Sequence, residues 1–186
     1  MGRNLIDDVE SVLIDEDRLY QRVQELAQQI EDDYENTDDL LLVCILKGAA
    51  IFMSQLSLLL KRPHEIDFMA ISSYGAGTLS SGAVHIILDL RQDIFNRHVL
   101  IVEDIIDSGR TLAYLRRSLL ARSPASLKIC TLLTKTARRV MEVPVDYIGF
   151  DIPDEFVVGY GLDYAELYRN LRYIAVLKPE AFTPLE

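Results

Sequence analysis

Positive charge is in short supply in this chain: 19 lysine and arginine residues stand against 29 aspartate and glutamate residues, a net charge of −10 over 186 residues. Neutralising a nucleic-acid backbone takes a basic face, so the balance argues against general nucleic-acid binding and leaves room only for a local basic pocket. Cysteine is scarce as well. Cys44 and Cys130 both lie inside apolar, strand-like runs without CxxC or Cys/His spacing, which reads as two reduced core thiols and points to the cytoplasm. His64, His85 and His98 lack ligand spacing. No apolar run is long enough to span a bilayer, and the opening residues, with Asp7, Asp8 and Glu10, do not have the pattern of a secretory signal. Internal repeats and low-complexity segments are missing too. At 49% apolar and 26% charged, the composition suits one globular domain, residues 1–186, with a substantial core.

Taken in order, Leu19, Val23, Leu26 and Ile30 fall on one helical face behind Asp15 as N-cap, which predicts a helix to about residue 34. Residues 40–46 (LLLVCIL) form a continuous apolar run of the kind buried on both faces of a parallel sheet. Lys47-Gly48 and an apolar helix to about residue 60 follow. Residues 65–72 read as a strand, residues 73–82 (SYGAGTLSSG) as either a hairpin loop or a mobile lid, and residues 83–88 as a second strand. Further strands are expected at 126–133, 147–150, 156–158 and 173–177. Arg138 and Arg139 read as a solvated turn. The alternation of strand and helix favours an α/β domain with a parallel sheet, its core about 36–150, with the chain ends (the N-terminal segment and about 151–186) forming a small hood.

The most informative stretch is residues 99–111, VLIVEDIIDSGRT. Residues 99–102 predict a buried parallel strand, whose carboxyl end is a favoured place for ligands. The apolar run stops at Glu103 and Asp104, acids that an interior accepts only with a partner such as sugar hydroxyls or a metal. Asp107, Ser108, Gly109, Arg110 and Thr111 then lead into a helix with Leu112, Leu115, Leu119 and Leu120 on one side. Free backbone N–H groups at such a helix start, with the hydroxyls of Ser108 and Thr111 and the close approach that Gly109 permits, make a phosphate cradle. Read as structure alone, the same residues are an N-cap, Asp107 or Ser108, after an acidic strand end. No Walker A loop is present.

Five motifs in order, ILKG at 45–48, ISSYG at 71–75, VEDIIDSGRT at 102–111, LLTK at 132–135 and FVVGYGLDY at 156–164, resemble the hypoxanthine-guanine phosphoribosyltransferases, in their compact bacterial form. The resemblance spans nearly the whole chain. It implies the type I phosphoribosyltransferase fold, with helices on both faces of the sheet, and a purine salvage reaction. That reaction transfers ribose 5-phosphate from 5-phosphoribosyl diphosphate (PRPP) to N9 of hypoxanthine or guanine, with Mg²⁺, and releases pyrophosphate.

Residue by residue, the resemblance implies that Glu103 and Asp104 hold ribose hydroxyls, and that these two with Asp163 lie near the metal. Asp107 to Thr111 would hold the 5′-phosphate, with Asp107 near purine N7 as a proton acceptor. Lys47, Gly48 and Arg169 would contact pyrophosphate, with a cis peptide before Lys47. Lys135 would face the 6-oxo group, Phe156 would stack on the purine, the Val157 carbonyl would read its edge, and Ser73 and Tyr74 would belong to the lid. Chemistry supports the lysine: an ammonium only donates hydrogen bonds, which suits a 6-oxo group and disfavours a 6-amino group. Small-molecule substrates, no membrane or nucleic-acid partner, and a homodimer or homotetramer are the further implications. The alternatives are a xanthine-preferring relative and a regulator of the same fold that binds RNA or effectors.

Overall fold

A computed structural model describes residues 4–73 and 84–182. Tyr74 and most of the expected lid lie outside the described residues. Among those described, the main sheet has six strands in the order β4-β3-β2-β5-β6-β7: β2 Leu40–Leu46, β3 His64–Ser73, β4 Val84–Leu88, β5 His98–Ile106, β6 Ser126–Thr134 and β7 Tyr147–Asp151. All neighbours pair in parallel except β3 and β4.

The alternation along β2 shows why its sequence is apolar throughout. Leu40, Leu42 and Cys44 pack with helices α1 (Glu16–Asp33) and α2 (Ala50–Leu59), against Leu19, Val23, Leu26, Phe52 and Leu56. Leu41, Val43 and Ile45 point the other way and pack with Leu112, Leu115 and Leu119 of α3 (Arg110–Leu120). Helices therefore cover both faces, the α/β arrangement expected from the sequence. Asp15 caps α1, its carboxylate accepting from the Arg18 N–H at 2.8 Å.

β5 departs from the expected strand of residues 99–102 by continuing to Ile106. Its neighbour β6 runs on to Thr134 and supplies ladder partners, with Glu103 opposite Thr131 and Ile106 opposite Thr134. The acids consequently lie within the strand rather than beyond it.

Chain connections decide where a ligand can sit. From β2 the chain crosses through α2 to β3 on one side, and from β5 it crosses through α3 to β6 on the other. Between the carboxyl ends of β2 and β5 the winding reverses, which opens a crevice there. A separate three-stranded sheet, β1-β9-β8, joins β1 (Val9–Ile14), β8 (Val157–Val158) and β9 (Ile174–Leu177), all antiparallel. It draws the two ends of the chain together.

One connection depends on a buried charge. Asp67 is 4% exposed. Its carboxylate accepts from the N–H groups of Phe68 and Arg91, both at 2.8 Å, and Gln92 at 3.3 Å, fixing the approach to β5. Asp67→Ala leaves these donors without their acceptor, and the expected loss is about 2–3 kcal/mol, measurable by urea unfolding.

Candidate active site

Strand alternation sends the two adjacent acids to opposite sides of β5. Glu103 faces the start of α3, where it lines a cavity of about 140 Å³ with Ile106, Asp107, Ser108, Gly109 and Thr111. Its Oε2 atom is buried and without a hydrogen-bond partner among the described residues. Burial, then the neighbouring charge of Asp104, pushes its carboxyl well above the usual range. A buried acceptor left open beside a phosphate-type loop is what a hydroxylated ligand would satisfy.

Asp104 faces the other way, toward Gly48. A Cβ placed on Gly48 would fall 1.5 Å from Asp104 Oδ2, so the two strand ends touch at the crevice. Burial raises the Asp104 carboxyl to about 6, against the N–H groups of Ile105 and Asp104 itself and the charge of Arg169, with Asp163 adding to the rise. Gly161 closes this corner. Its φ of +106° suits glycine, and a Cβ there would meet the Gly48 carbonyl oxygen at 2.0 Å.

The start of α3 corrects the reading of Asp107 or Ser108 as its N-cap. Gly109 holds that position with φ +80°, and no side chain caps the first turn. Arg110 N–H reaches Ser108 Oγ only at 3.5 Å. The first turn of α3 thus begins beside the cavity with only that long contact to its N–H groups, as an anion site requires. Glycine is needed here twice over, since a Cβ would also meet the Met141 carbonyl oxygen at 2.6 Å.

Arg138 lies in the expected turn with its side chain half exposed, and it also reaches this loop, while Arg139 bonds the Thr134 hydroxyl. The Ser108 carbonyl accepts from the N–H groups of Val140 and Met141, both at 3.0 Å, bringing the segment against Gly109. Arg138 Nε lies 3.2 Å from Asp107 Oδ1, and its Nη1 lies 3.3 Å from Asp154 Oδ1. Lys135, only 7% exposed, lies 3.8 Å from the same Asp154 oxygen. Asp107 and Lys135 are therefore linked through Arg138 and Asp154. Nothing in the local sequence signals this, because the partners come from three different strand ends.

The segment 156–169 supplies the opposite wall. Asp163 Oδ1 pairs with Arg169 Nη2 at 2.8 Å, and its Oδ2 accepts from the Glu166 N–H at 2.9 Å. Arg169 Nη1 donates to the Gly161 carbonyl at 2.8 Å. Lys47 follows a cis Leu46–Lys47 peptide and pairs with Glu166 at 3.0 Å, a residue the sequence reading did not single out. Val157 is buried within β8, while Phe156 is 49% exposed and meets Tyr164 and Phe182 edge-on, at 5.8 and 5.4 Å between ring centres. Ser73 is the last residue of β3.

The structure thus gathers Lys47, Gly48, Asp104, Asp163 and Arg169 around one corner, and Glu103 with residues 107–111 around another. Among the described residues, no three aspartate, glutamate, histidine or cysteine side chains gather to hold a metal by themselves. The donors present are hard carboxylate oxygens, which fit an ion that takes one or two protein ligands and completes its shell with substrate oxygens and water. No helix among the described residues is long and apolar enough to cross a membrane.

Comparison with known proteins agrees with this geometry. The phosphoribosyl transferase domain family matches residues 12–165. A hypoxanthine-guanine phosphoribosyltransferase of Mycobacterium avium is 49% identical over 180 residues, 94% of this chain and 89% of its own. A hypoxanthine phosphoribosyltransferase of Buchnera aphidicola is 51% identical over 164 residues, 88% of this chain and 93% of its own. Among solved structures, a hypoxanthine phosphoribosyltransferase from Staphylococcus aureus superimposes with a TM-score of 0.92 at 47% identity, over 98% of this chain and 99% of that one. Enzymes of this kind act on small-molecule substrates and need a divalent metal ion. With matches of this extent on a sheet and crevice of this form, the chain belongs to the phosphoribosyltransferase family of enzymes, in its hypoxanthine-guanine branch.

Proposed function

We propose that this chain moves the 5-phosphoribosyl group of PRPP to N9 of hypoxanthine, and of guanine, giving the nucleoside monophosphate and pyrophosphate. The observation that carries this reading is the crevice at the winding reversal. An uncapped helix start lies on one side of β5, and the cations Lys47 and Arg169 lie beside Asp104 on the other. A sugar carrying a phosphate at one end and a diphosphate at the other has that distribution of charge.

In this reading the N–H groups at residues 109–111, with Ser108 and Thr111, hold the 5′-phosphate, while Glu103 and Asp104 receive the ribose hydroxyls. Mg²⁺ would be held by Asp163, with Glu103 and Asp104 near it, and would supply charge neutralisation at the leaving diphosphate. Lys47 and Arg169 stabilise the negative charge that collects on the leaving group, and the Gly48 backbone lines its path. The buried carboxylates face the sugar, which becomes cation-like as the bond to diphosphate lengthens. Lys135 donates to the 6-oxo group, Phe156 stacks on the ring, the Val157 carbonyl reads the base edge, and Asp107 accepts a proton or hydrogen bond at N7. We further read the protein as one domain with a hood, cytoplasmic, and assembled as a homodimer or homotetramer. The exposed apolar side chains of Phe68, Ile87 and Phe95 support assembly.

The test is product formation with PRPP and Mg²⁺, offering hypoxanthine, guanine, xanthine and adenine separately, beside Asp107→Asn. Hypoxanthine or guanine should turn over and adenine should not. The variant should be slower by about tenfold, the difference between a charged and a neutral hydrogen-bond partner. Preference for xanthine would displace the assignment of the base, and no turnover with PRPP still binding would favour the regulator.

A further inference from the structure

The two cations assigned above to the diphosphate already share an anion. Glu166 Oε2 lies 3.0 Å from Lys47 Nζ and 3.3 Å from Arg169 Nη2, so a single carboxylate oxygen receives both, as a phosphate oxygen would. Lys47 and then Arg169 accordingly hold the Glu166 carboxyl below the usual range.

Two features separate this contact from an ordinary surface ion pair. The first is the backbone beneath it. Ala165, Glu166 and Tyr168 all have positive φ, at 51°, 66° and 74°, a region that non-glycine residues enter at a cost. The turn is held there by the Glu166 N–H bonding to Asp163 Oδ2 and by the paired N–H and carbonyl groups of Tyr164 and Leu167. Second, the Glu166 side chain is 64% exposed and that of Lys47 67% exposed. A fixed backbone with a solvated carboxylate lets the side chain swing away without refolding the loop.

Resting on the proposed reaction, we infer that Glu166 is an internal counter-anion that occupies the diphosphate subsite between turnovers and is exchanged for diphosphate oxygens when PRPP binds. It keeps Lys47 and Arg169 neutralised and positioned when the subsite holds no ligand. The same exchange, run backwards, helps pyrophosphate leave, because the carboxylate returns to the cations as the product departs. The contact is solvated, so its influence is modest. An exposed ion pair of this kind changes affinity by a factor of about five at most.

Titration calorimetry with inorganic pyrophosphate and Mg²⁺ tests this on the wild-type chain, Glu166→Gln, Glu166→Asp and Lys47→Ala. Removing the competing charge should tighten pyrophosphate binding about two- to fivefold in Glu166→Gln. The KM for PRPP should fall by a similar factor and the KM for hypoxanthine should not move. Glu166→Asp, which keeps the charge on a shorter arm, should fall between wild type and Glu166→Gln. Unchanged or weaker pyrophosphate binding in Glu166→Gln would overturn the inference, since a residue that only braces the cations would weaken binding when removed. Wild-type binding insensitive to Lys47→Ala would overturn it by a different route, by removing the diphosphate subsite itself.

Discussion

Gly48→Ala should lower kcat/KM by about 10²-fold while leaving the fold intact, because the new methyl group cannot coexist with Asp104 where it stands. The added Cβ would lie 1.5 Å from Asp104 Oδ2 and 2.6 Å from Cγ, and reaches no other atom at comparable distance. The atoms in the way are the end of a side chain, so the carboxylate turns aside rather than the backbone. Such a rotation costs about 0.5–1.5 kcal/mol, which for a chain of this size is a drop of about 1–6 °C in Tm. Catalysis suffers more than stability, since misplacing a group by about 1 Å can cost 10²-fold. A double variant separates the two effects. Gly48→Ala combined with Asp104→Ala should recover the lost stability, because the clash is gone, and should recover no activity. If Gly48→Ala instead keeps wild-type turnover, Asp104 has no positional role in transfer.

Much of the fold was legible because its signals are local. Residues 40–46 were readable as a buried strand from unbroken apolar character, and β2 occupies those residues. Asp15 announced α1, and the leucines after Thr111 announced α3. β1 carried no such signal: of Val9–Ile14 only Ile14 is buried, so neither a run nor an alternation marks it, and pairing with β9 alone makes it a strand. The extent of β5 was missed for a related reason. Acids at 103 and 104 look like the end of a strand, but ladder partners on β6 carry it through them.

The turn before α3 was readable as either a phosphate cradle or an ordinary N-cap at Asp107 or Ser108, and Gly109 holds the cap position instead. The clasp on that turn was not readable. Arg138 reaches Asp107 and Asp154, and Glu166 reaches Lys47, across gaps that only the parallel sheet closes by bringing several strand ends to one edge. Side chains whose role depends on a partner far along the chain look like ordinary surface charges in the sequence.

On the proposed reaction Asp104 meets a ligand, and its burial should make it a liability without one; Asp104→Asn should expose both sides of that exchange. In the folded protein its carboxyl lies at about 6 against an ordinary 3.8, with burial as the largest cause. A raised carboxyl binds protons more readily in the folded than in the unfolded chain. Stability therefore falls as pH rises from about 4 to 6, and stays lower above that window. The shift corresponds to about 3 kcal/mol at pH 7.5. The amide keeps an oxygen for the Ile105 N–H, which donates to Asp104 at 2.7 Å, but must find an acceptor for its own NH₂ group. A net gain of about 1–2 kcal/mol is expected, raising the Tm of the protein without substrate or metal at pH 7.5 by about 2–8 °C. At pH 4.5 the folded carboxyl is protonated and only about 1 kcal/mol of this cost has developed, which the unpaired NH₂ group offsets, so the gain should vanish. On the proposed reaction, transfer should meanwhile fall by about 10²–10³-fold, as the charge assigned to the developing positive sugar is gone. Thermal unfolding at the two pH values, beside initial rates, checks each part. A lower Tm for Asp104→Asn at pH 7.5 would mean that the attraction of Arg169 outweighs burial, and that the carboxylate is held in place by the cation rather than by the ligand it awaits.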